Sequence, residues 1–200
     1  KFAIALIQVE DKRFRQHNGV DFLALARAIY DNLRERRVVS GASTVSMQVI
    51  RLSRGNPLRT WSEKLLECLR AWRLESRYSK DEIFELYASH APFGGNVVGL
   101  EAAAWRYFAR GPDQLSWAES AMLAVLPNNP ALIHPGRNRG RLLAKRNRLL
   151  QQLYEQNILS RLEYDLAVAE PLPDAPHPLP QLAPHLLDTL AVRRPAGERF

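Results

Sequence analysis

Apolar side chains recur along most of this chain at intervals of three and four residues, which is the spacing of one face of an α-helix. One such run comprises Phe22, Leu25, Ala26, Ile29 and Leu33. The same spacing predicts helices at residues 2–11, 21–36, 43–53, 59–77, 80–89, 97–109, 117–126, 139–156 and 161–169. We therefore expect an all-α fold.

Several predicted helices begin with a serine that is followed three positions later by a glutamate. These capping boxes are Ser79/Glu82, Ser116/Glu119 and Ser160/Glu163, in which the hydroxyl and the carboxylate each accept a hydrogen bond from a backbone N–H. Gly, Pro and Asn favour turns at 54–59, 92–96 and 127–138. Prolines are dense after residue 170, so we predict a domain over 1–170 and an extended, Pro-rich tail over 171–200.

Composition and charge narrow the class of protein. A chain of 200 residues, 46% of them hydrophobic, can bury one sizeable core. The net charge of +7 favours an anionic partner, which could be nucleic acid, an acidic membrane surface or a phosphate-bearing substrate. The single cysteine, Cys68, excludes an internal disulfide and is expected in the core. No apolar stretch approaches the roughly 20 residues that span a bilayer.

The stretch "VEDKRFRQHNG", residues 9–19, places two adjacent acids directly after an apolar run. Because neighbouring residues on a helix point about 100° apart, Glu10 and Asp11 cannot both act on one atom. Two interpretations remain open. The stretch is either a solvated helix end that His17 and Gly19 close with a turn, or it carries one acid into the wall of a cleft.

Two later stretches carry further candidate chemistry. "GASTVSMQ", residues 41–48, puts hydroxyls at a helix start, where free N–H groups suit an anion but where an ordinary N-cap is also expected. "RTWSEKLLE", residues 59–67, places Lys64 and Glu67 on one helix face, a spacing that a surface ion pair explains equally well.

Taken in order, the stretches "EDKRFRQHNG", "GASTVSMQ", "EKLLE", "SKDEIFELYASHAPFGGN" and "KRNRLL" resemble the five motifs of the peptidoglycan glycosyltransferases, glycosyltransferase family 51. The resemblance covers about residues 2–153 and includes "AAAWRYFARGPDQLSWAESAMLAVLPNNP". The variants "STVSMQ" and "APFGGN" are most similar to the penicillin-binding protein 1C branch of the class A proteins. The resemblance implies a lysozyme-like fold with two lobes that flank a long cleft, the smaller lobe at about residues 20–62 facing the membrane.

The resemblance also implies an activity and a location. Members polymerise lipid II into β-1,4-linked glycan strands, with inversion and release of undecaprenyl pyrophosphate, at the periplasmic face of the bacterial inner membrane. The implied partners are lipid II, the growing glycan strand, the inner-membrane surface and other cell-wall synthesis proteins, with no nucleic acid. No cofactor is obligatory, and a divalent cation, magnesium or manganese, is left open. An N-terminal membrane anchor and a C-terminal transpeptidase domain are expected outside this sequence.

Roles in the site follow from the same resemblance, position by position. Glu10 matches the general base and Glu67 the second essential acid. Expected substrate-binding residues are Asp11, Phe14, His17, Ser43, Thr44, Gln48, Arg51, Arg59 and Lys64, the last three at basic positions that hold the pyrophosphate. Structural or orienting roles are expected for Gly19, Gly41, Lys80, Glu85, Tyr87, Asn96 and Arg146.

Departures from the motifs keep a second function open. The family commonly has Gln, Arg and Asn where this chain has Met47, Glu63 and Ser89. The alternative is therefore a catalytically weak module that binds lipid II and positions a synthase partner. A nucleic-acid binder is disfavoured because the basic residues lack a recognition helix or a base-stacking motif. A hydrolytic glycosidase is disfavoured because no second carboxylate is placed to activate water.

One apolar set has two interpretations. Near the second motif lie Val38, Val39, Ile50, Leu52, Leu58 and Trp61, beside many basic residues. Such a surface is suited to an anionic leaflet, whereas an ordinary core would absorb about half of these side chains.

Overall fold

The computed structural model describes residues 1–35, 41–58, 60–94, 96–128, 135–136 and 138–179, and these form helices. The helices are α1 (Phe2–Glu10), α2 (Phe22–Glu35), α3 (Val45–Ser53), α4 (Trp61–Glu75), α5 (Lys80–His90), α6 (Leu100–Phe108), α7 (Trp117–Val125), α8 (Arg139–Glu155) and α9 (Arg161–Ala169). Single 3₁₀ turns occur at Phe14–Gln16 and Pro112–Gln114. Every predicted helix is present, and no strand occurs in the described ranges, so the all-α prediction is confirmed.

Side-chain caps explain where these helices begin. Each predicted capping box is formed, at the starts of α5, α7 and α9. Threonines cap two further helices: Thr44 accepts a hydrogen bond from Met47 N–H at the start of α3, and Thr60 accepts one from Glu63 N–H at the start of α4. Each cap satisfies a backbone donor that has no partner within its helix.

Helix α7 lies at the centre of the core. Its residues 118–125 are all buried, and it packs against α1, α6, α8 and α9. Alanines in its sequence let the neighbouring helices approach closely. Helix α1 contributes Phe2, Ala5 and Leu6 to the same core, so the core holds α1 in place as far as its polar C-terminal end.

A glycine connects the segment after α1 to α4. Gly19 has a φ of +85°, a conformation that favours glycine, and a Cβ at this position would lie 2.7 Å from the backbone carbon of Ala71 and the backbone nitrogen of Trp72. The turn after α1 therefore touches the backbone of α4, and a side chain at residue 19 would force the two apart.

Helices α2 and α4 expose a large amount of apolar surface. The exposed side chains include Phe22 (74%), Leu33 (73%), Trp61 (92%) and Trp72 (66%). Leu65 and Leu69 on α4 are also exposed, and Cys68 between them is only partly buried, so its expected core position is wrong. Exposed apolar side chains that lie close together on one surface are common at binding faces.

The apolar set near the second motif is divided between core and surface. Ile50 and Leu52 are partly buried, and Leu52 packs against the core. Leu58 and Trp61 are almost fully exposed, at 87% and 92%. Val38 and Val39 lie outside the described residues.

The tail is non-helical as far as residue 179, as the prolines predict, and residues 180–200 lie outside the described ranges. It runs across the domain surface. Arg139 donates to the carbonyl of Pro173 at 2.6 Å, and Arg106 exchanges hydrogen bonds with the backbone of His177. None of the described helices has the length and apolar character needed to cross a bilayer.

Arg146 connects α8 to the end of α9. Its side chain is 1% exposed, and its guanidinium donates to the carbonyls of Glu170 at 2.6 Å and Val168 at 3.2 Å. Burial lowers its pKa, and the charge of Glu170 opposes that shift. An arginine keeps its charge at neutral pH, so these are charge-assisted hydrogen bonds in a buried setting.

We expect Arg146→Met to lower the free energy of unfolding by about 2–3 kcal/mol, because it leaves two carbonyls without donors and removes charge-assisted bonds. Urea denaturation followed by circular dichroism measures the loss. The control is Arg141→Met on the exposed surface of α8, which should change stability by less than about 0.5 kcal/mol. Equal losses of stability in the two variants would contradict a role of Arg146 in holding α8 to the end of α9.

Candidate active site

A cavity of about 430 Å³ lies beside Glu10, the last residue of α1. Glu10 Oε2 accepts a hydrogen bond from Gln48 Nε2 at 2.7 Å, whereas Oε1 is buried with no hydrogen-bond partner among the described residues. Burial raises the pKa of Glu10, and the Gln48 hydrogen bond and the charge of Lys145 oppose that shift. The carboxylate is therefore held in place by one oxygen and free to accept a proton on the other.

Tyr87 lies in the wall of the same cavity. Its side chain is 1% exposed, and within the described part of the chain its hydroxyl has no hydrogen-bond partner. Burial, together with the charge of Glu10, raises the pKa of Tyr87 far above neutral pH, so the phenol stays protonated. Tyr87 OH and Glu10 Oε1 are therefore two buried polar atoms without partners in residues that line one cavity.

Asp11 and His17 hold the start of α3. Both side chains are buried, and His17 Nε2 lies 3.0 Å from each Asp11 oxygen. Asp11 Oδ2 also accepts from the backbone N–H of Val45 at 3.0 Å. The carboxylate is thus occupied by protein donors, and the geometry supports an orienting role for this pair.

Phe14 and Thr44, both expected to bind substrate, are buried. Phe14 is 0% exposed in the core, and Thr44, at 2%, donates to the carbonyl of Gly19 at 2.6 Å while capping α3. Thr44 also lines a small cavity of about 140 Å³ next to Glu10 and Asp11. In the described structure both residues support the backbone around the candidate site.

A cluster of charges joins α3 to α4. Arg51 donates to both oxygens of Glu67, from Nε at 2.6 Å and from Nη2 at 2.8 Å. Lys64 Nζ lies 3.6 Å from Glu67 Oε2 and donates to Ser43 Oγ at 2.6 Å. Arg51 and Ser43 line the cavity.

The pKa values of this cluster follow from its contacts. Burial would raise the pKa of Glu67, but the Arg51 hydrogen bonds and the charges of Arg51 and Lys64 outweigh it, so the pKa is lowered. Burial lowers the pKa of Lys64, and Glu67 opposes that shift. Glu67 is therefore an ionised carboxylate that orients two cations, rather than a group that exchanges protons near neutral pH.

The cavity brings together only some of the predicted site residues. Its wall includes Glu10, Gly41, Ser43, Gln48, Arg51 and Tyr87. Lys80 pairs with Glu75 at 2.6 Å, and Arg146 lies at the α8–α9 contact. Glu85 lines a different cavity, and Asn96 is exposed in a turn. Arg59 lies outside the described residues.

Sequence reasoning missed six residues of the wall: Val9, Leu52 and Pro92, and three residues from two turns. Asn56, Pro127 and Asn128 line the cavity and lie in the turn segments that interrupt the predicted helices. Turns on a rigid helical scaffold often carry binding residues, but the sequence contained no signal that these two turns meet.

The three departures from the motifs lie away from the cavity wall. Met47 is 1% exposed in the interior, and Ser89 lines the separate cavity next to Glu85. Glu63 forms an ion pair with Arg54, which links the start of α4 to the end of α3. The negative charge of Glu63 is therefore offset by Arg54.

Metal ligation finds little support in the described part of the chain, which contains no cluster of three or more His, Cys, Asp or Glu side chains that could hold an ion. Both oxygens of Glu67 are engaged by Arg51, and one oxygen of Glu10 is engaged by Gln48. The described residues therefore offer no ligand set for magnesium or manganese, and we assign no step to a metal.

Comparison of the sequence with known proteins matches the chain to a family. A family model described as Transglycosylase covers residues 1–154. Penicillin-binding protein 1C of Escherichia coli (strain K12) is 42% identical over 184 residues, which are 92% of this chain and 24% of that protein. A putative transglycosylase of Cupriavidus necator is 41% identical over 171 residues, 84% of this chain and 72% of that protein.

Penicillin-binding protein 1A of Haemophilus influenzae has a solved structure that is 29% identical, covers 60% of this chain and 18% of its own, and gives a TM-score of 0.46. The chain spans about a quarter of the length of penicillin-binding protein 1C. The family model covers most of the chain, and the relative from Cupriavidus necator matches over most of its own length. The chain therefore belongs to the transglycosylase family, the peptidoglycan glycosyltransferases that its five motifs resemble.

Proposed function

We propose that this chain polymerises lipid II into β-1,4-linked glycan strands by inverting transfer, with release of undecaprenyl pyrophosphate. The observation that carries the proposal is the state of Glu10, a partly buried carboxylate with a raised pKa in the wall of a cavity. A single inversion needs one base and one site that stabilises the leaving group.

Glu10 would act as the base. One oxygen of its carboxylate accepts the proton of the 4-hydroxyl of the incoming disaccharide as that hydroxyl oxygen bonds to the anomeric carbon of the growing strand. A carboxylate with an ordinary pKa is a weak base at neutral pH, and burial corrects this by raising the pKa. Gln48 holds the other oxygen, so the carboxylate keeps its orientation as it takes the proton.

Arg51 and Lys64 would stabilise the leaving group. As the bond from the anomeric carbon to the phosphate oxygen breaks, its electron pair stays on the pyrophosphate, whose charge increases. Fixed cations nearby stabilise that charge without reorganising during the reaction. Glu67 supports them because it engages Arg51 through two hydrogen bonds and keeps Lys64 close to Ser43.

The exposed apolar surface of α2 and α4 would rest on the periplasmic face of the inner membrane. Tryptophan and large apolar side chains are suited to the boundary between headgroups and acyl chains, and Trp61, Trp72 and Phe22 are all largely exposed. The lipid carrier would then remain in the membrane while its sugar enters the cavity. Other cell-wall synthesis proteins would meet the chain at this membrane.

The alternative is a weak lipid II-binding module. It depended on Met47 and Glu63, but Met47 is buried in the interior and Glu63 is paired with Arg54. Neither departure removes a group from the cavity wall. The described geometry therefore favours the enzyme over the binding module.

The first test replaces the proposed base. Glu10→Gln keeps the size and the contact with Gln48 but cannot accept the proton, so the rate of lipid II polymerisation should fall about 100-fold or more while lipid II still binds. Gel analysis of the glycan product measures turnover. Glu155→Gln, on the exposed end of α8, serves as the control, and near-normal polymerisation by Glu10→Gln would refute the assignment.

The second test addresses the leaving-group site. Because a group that acts mainly on the developing charge stabilises the transition state more than the bound substrate, Lys64→Met should lower kcat more than it raises KM. Arg73→Met, which removes a charge from the exposed face of the same helix, should leave both constants unchanged. If Lys64 only forms a structural ion pair with Glu67, Lys64→Met will instead lower the melting temperature and leave kcat and KM unchanged.

The third test uses pH. Gln48→Leu removes the hydrogen bond that lowers the pKa of Glu10, so that pKa should rise further. A base works only when deprotonated, so the acidic limb of the kcat/KM profile should move to higher pH. The control Gln151→Leu, at an exposed position of α8, should leave the pH profile unchanged. If the acidic limb does not move in Gln48→Leu, the ionisation seen in the profile does not belong to Glu10.

A further inference from the structure

A second cavity, of about 310 Å³, lies between α1 and α8, and we name it the α1/α8 groove. It shares the wall residues Val9 and Asn128 with the candidate active site, so the two cavities are neighbours. Its other polar wall residues are Gln8, Lys12, Lys145, Arg148 and Gln152. Lys12 lies in the first motif stretch and Lys145 and Arg148 lie in the fifth, but no role was expected for any of these wall residues.

The groove concentrates positive charge that no ion pair neutralises in the described part of the chain. Lys145 and Arg148 lie on one face of α8 at a spacing of three residues, and Lys12 follows α1. Within the described ranges, none of these three side chains forms an ion pair or a hydrogen bond. The other basic residues of the active-site region, Arg51 and Lys64, are paired with Glu67. The groove is therefore a place where an added anion finds cations that are still free.

Gln8 adds an independent sign of a missing ligand. The residue is 7% exposed, and its amide nitrogen is buried without an acceptor among the described residues. A buried N–H donor without a partner is unfavourable. An oxyanion in the groove could accept from this amide while it binds the cations.

The position of the groove indicates which anion fits. The diphosphate of a lipid-linked sugar has to stay near the apolar surface of α2 and α4, where Arg51 and Lys64 lie on α3 and α4. Helix α8 packs mainly against α1, α7 and α9, so the groove is built on helices other than α3 and α4, which carry Arg51 and Lys64. We therefore expect an anion there to come from a part of the substrate other than its diphosphate.

We propose that the α1/α8 groove binds a carboxylate of the peptide that the substrate carries, next to the sugar whose hydroxyl Glu10 deprotonates. The inference rests on the proposed function, because a peptide-bearing substrate is required. An arginine binds a carboxylate through two parallel hydrogen bonds, which gives orientation as well as affinity. Arg148 is therefore the main expected contact, with Lys12 and Lys145 adding charge.

Binding in the groove would also act on the base. The charge of Lys145 lowers the pKa of Glu10, and a bound carboxylate would offset that charge. The pKa of Glu10 would then rise when the correct substrate is present. The base becomes stronger in the substrate complex than in the free enzyme.

The experiment compares two substrates that differ only in the peptide carboxylates. One is lipid II with its free carboxylates, and the other is the same molecule with those carboxylates converted to amides. Arg148→Gln should lower kcat/KM about 10-fold for the first and less than about 2-fold for the second. Arg141→Gln, the same charge change on the exposed surface of α8, should change neither. Lys145→Gln should follow Arg148→Gln.

Each other outcome overturns the proposal. Equal losses on both substrates mean that the groove acts on the diphosphate or on the fold, which the melting temperature separates. Equal effects of Arg148→Gln and Arg141→Gln mean general charge attraction, and no effect of Arg148→Gln means an empty groove. If the proposed function itself is wrong, the wild-type protein will polymerise neither substrate. The groove can then still be tested by measuring whether the Glu10→Gln protein binds the carboxylate form of lipid II more tightly than the amide form.

Discussion

The buried carboxylate of Asp11 is the contact on which the arrangement of the site depends. It accepts hydrogen bonds from His17 and from the backbone N–H of Val45, and so fixes the end of α1 against the start of α3. Because an α-helix is rigid, fixing its first residue also fixes Gln48 and Arg51 further along α3. Removing either partner would leave a buried charge uncompensated, which is costly. The hydrogen bonds from Gln48 to Glu10 and from Arg51 to Glu67 depend on this contact between α1 and α3.

The two candidate acids, Glu10 and Glu67, are held in opposite environments. Glu10 is partly buried at the end of an apolar helix and has a single hydrogen-bond donor, so its pKa is raised. Glu67 is buried more deeply, but Arg51 and Lys64 compensate its charge, so its pKa is lowered. Environments that separate the pKa values of two acids commonly separate their roles. The same residue type can therefore supply a base at one position and a fixed charge at the other.

Helix α2 illustrates the limit of an amphipathic pattern. Its apolar positions predicted the helix correctly, yet Phe22, Ile29 and Leu33 are exposed instead of buried in the core. The hydrophobic effect requires that such a face be covered by something, but the pattern does not say by what. The same uncertainty applies to Cys68, whose neighbours on α4 face outward.

The sequence by itself determined the helices, because apolar spacing and capping boxes act over a few residues along the chain. Through its ordered motifs it also indicated the family and the candidate acids Glu10 and Glu67. It could not separate residues that line the cavity from those that support them, so Phe14 and Thr44 were expected at the substrate and lie buried. Contacts such as Glu63 with Arg54, and the free cations of the α1/α8 groove, were decided only by the tertiary structure. Burial and charge compensation depend on which helices meet, and that information is distributed over the whole chain.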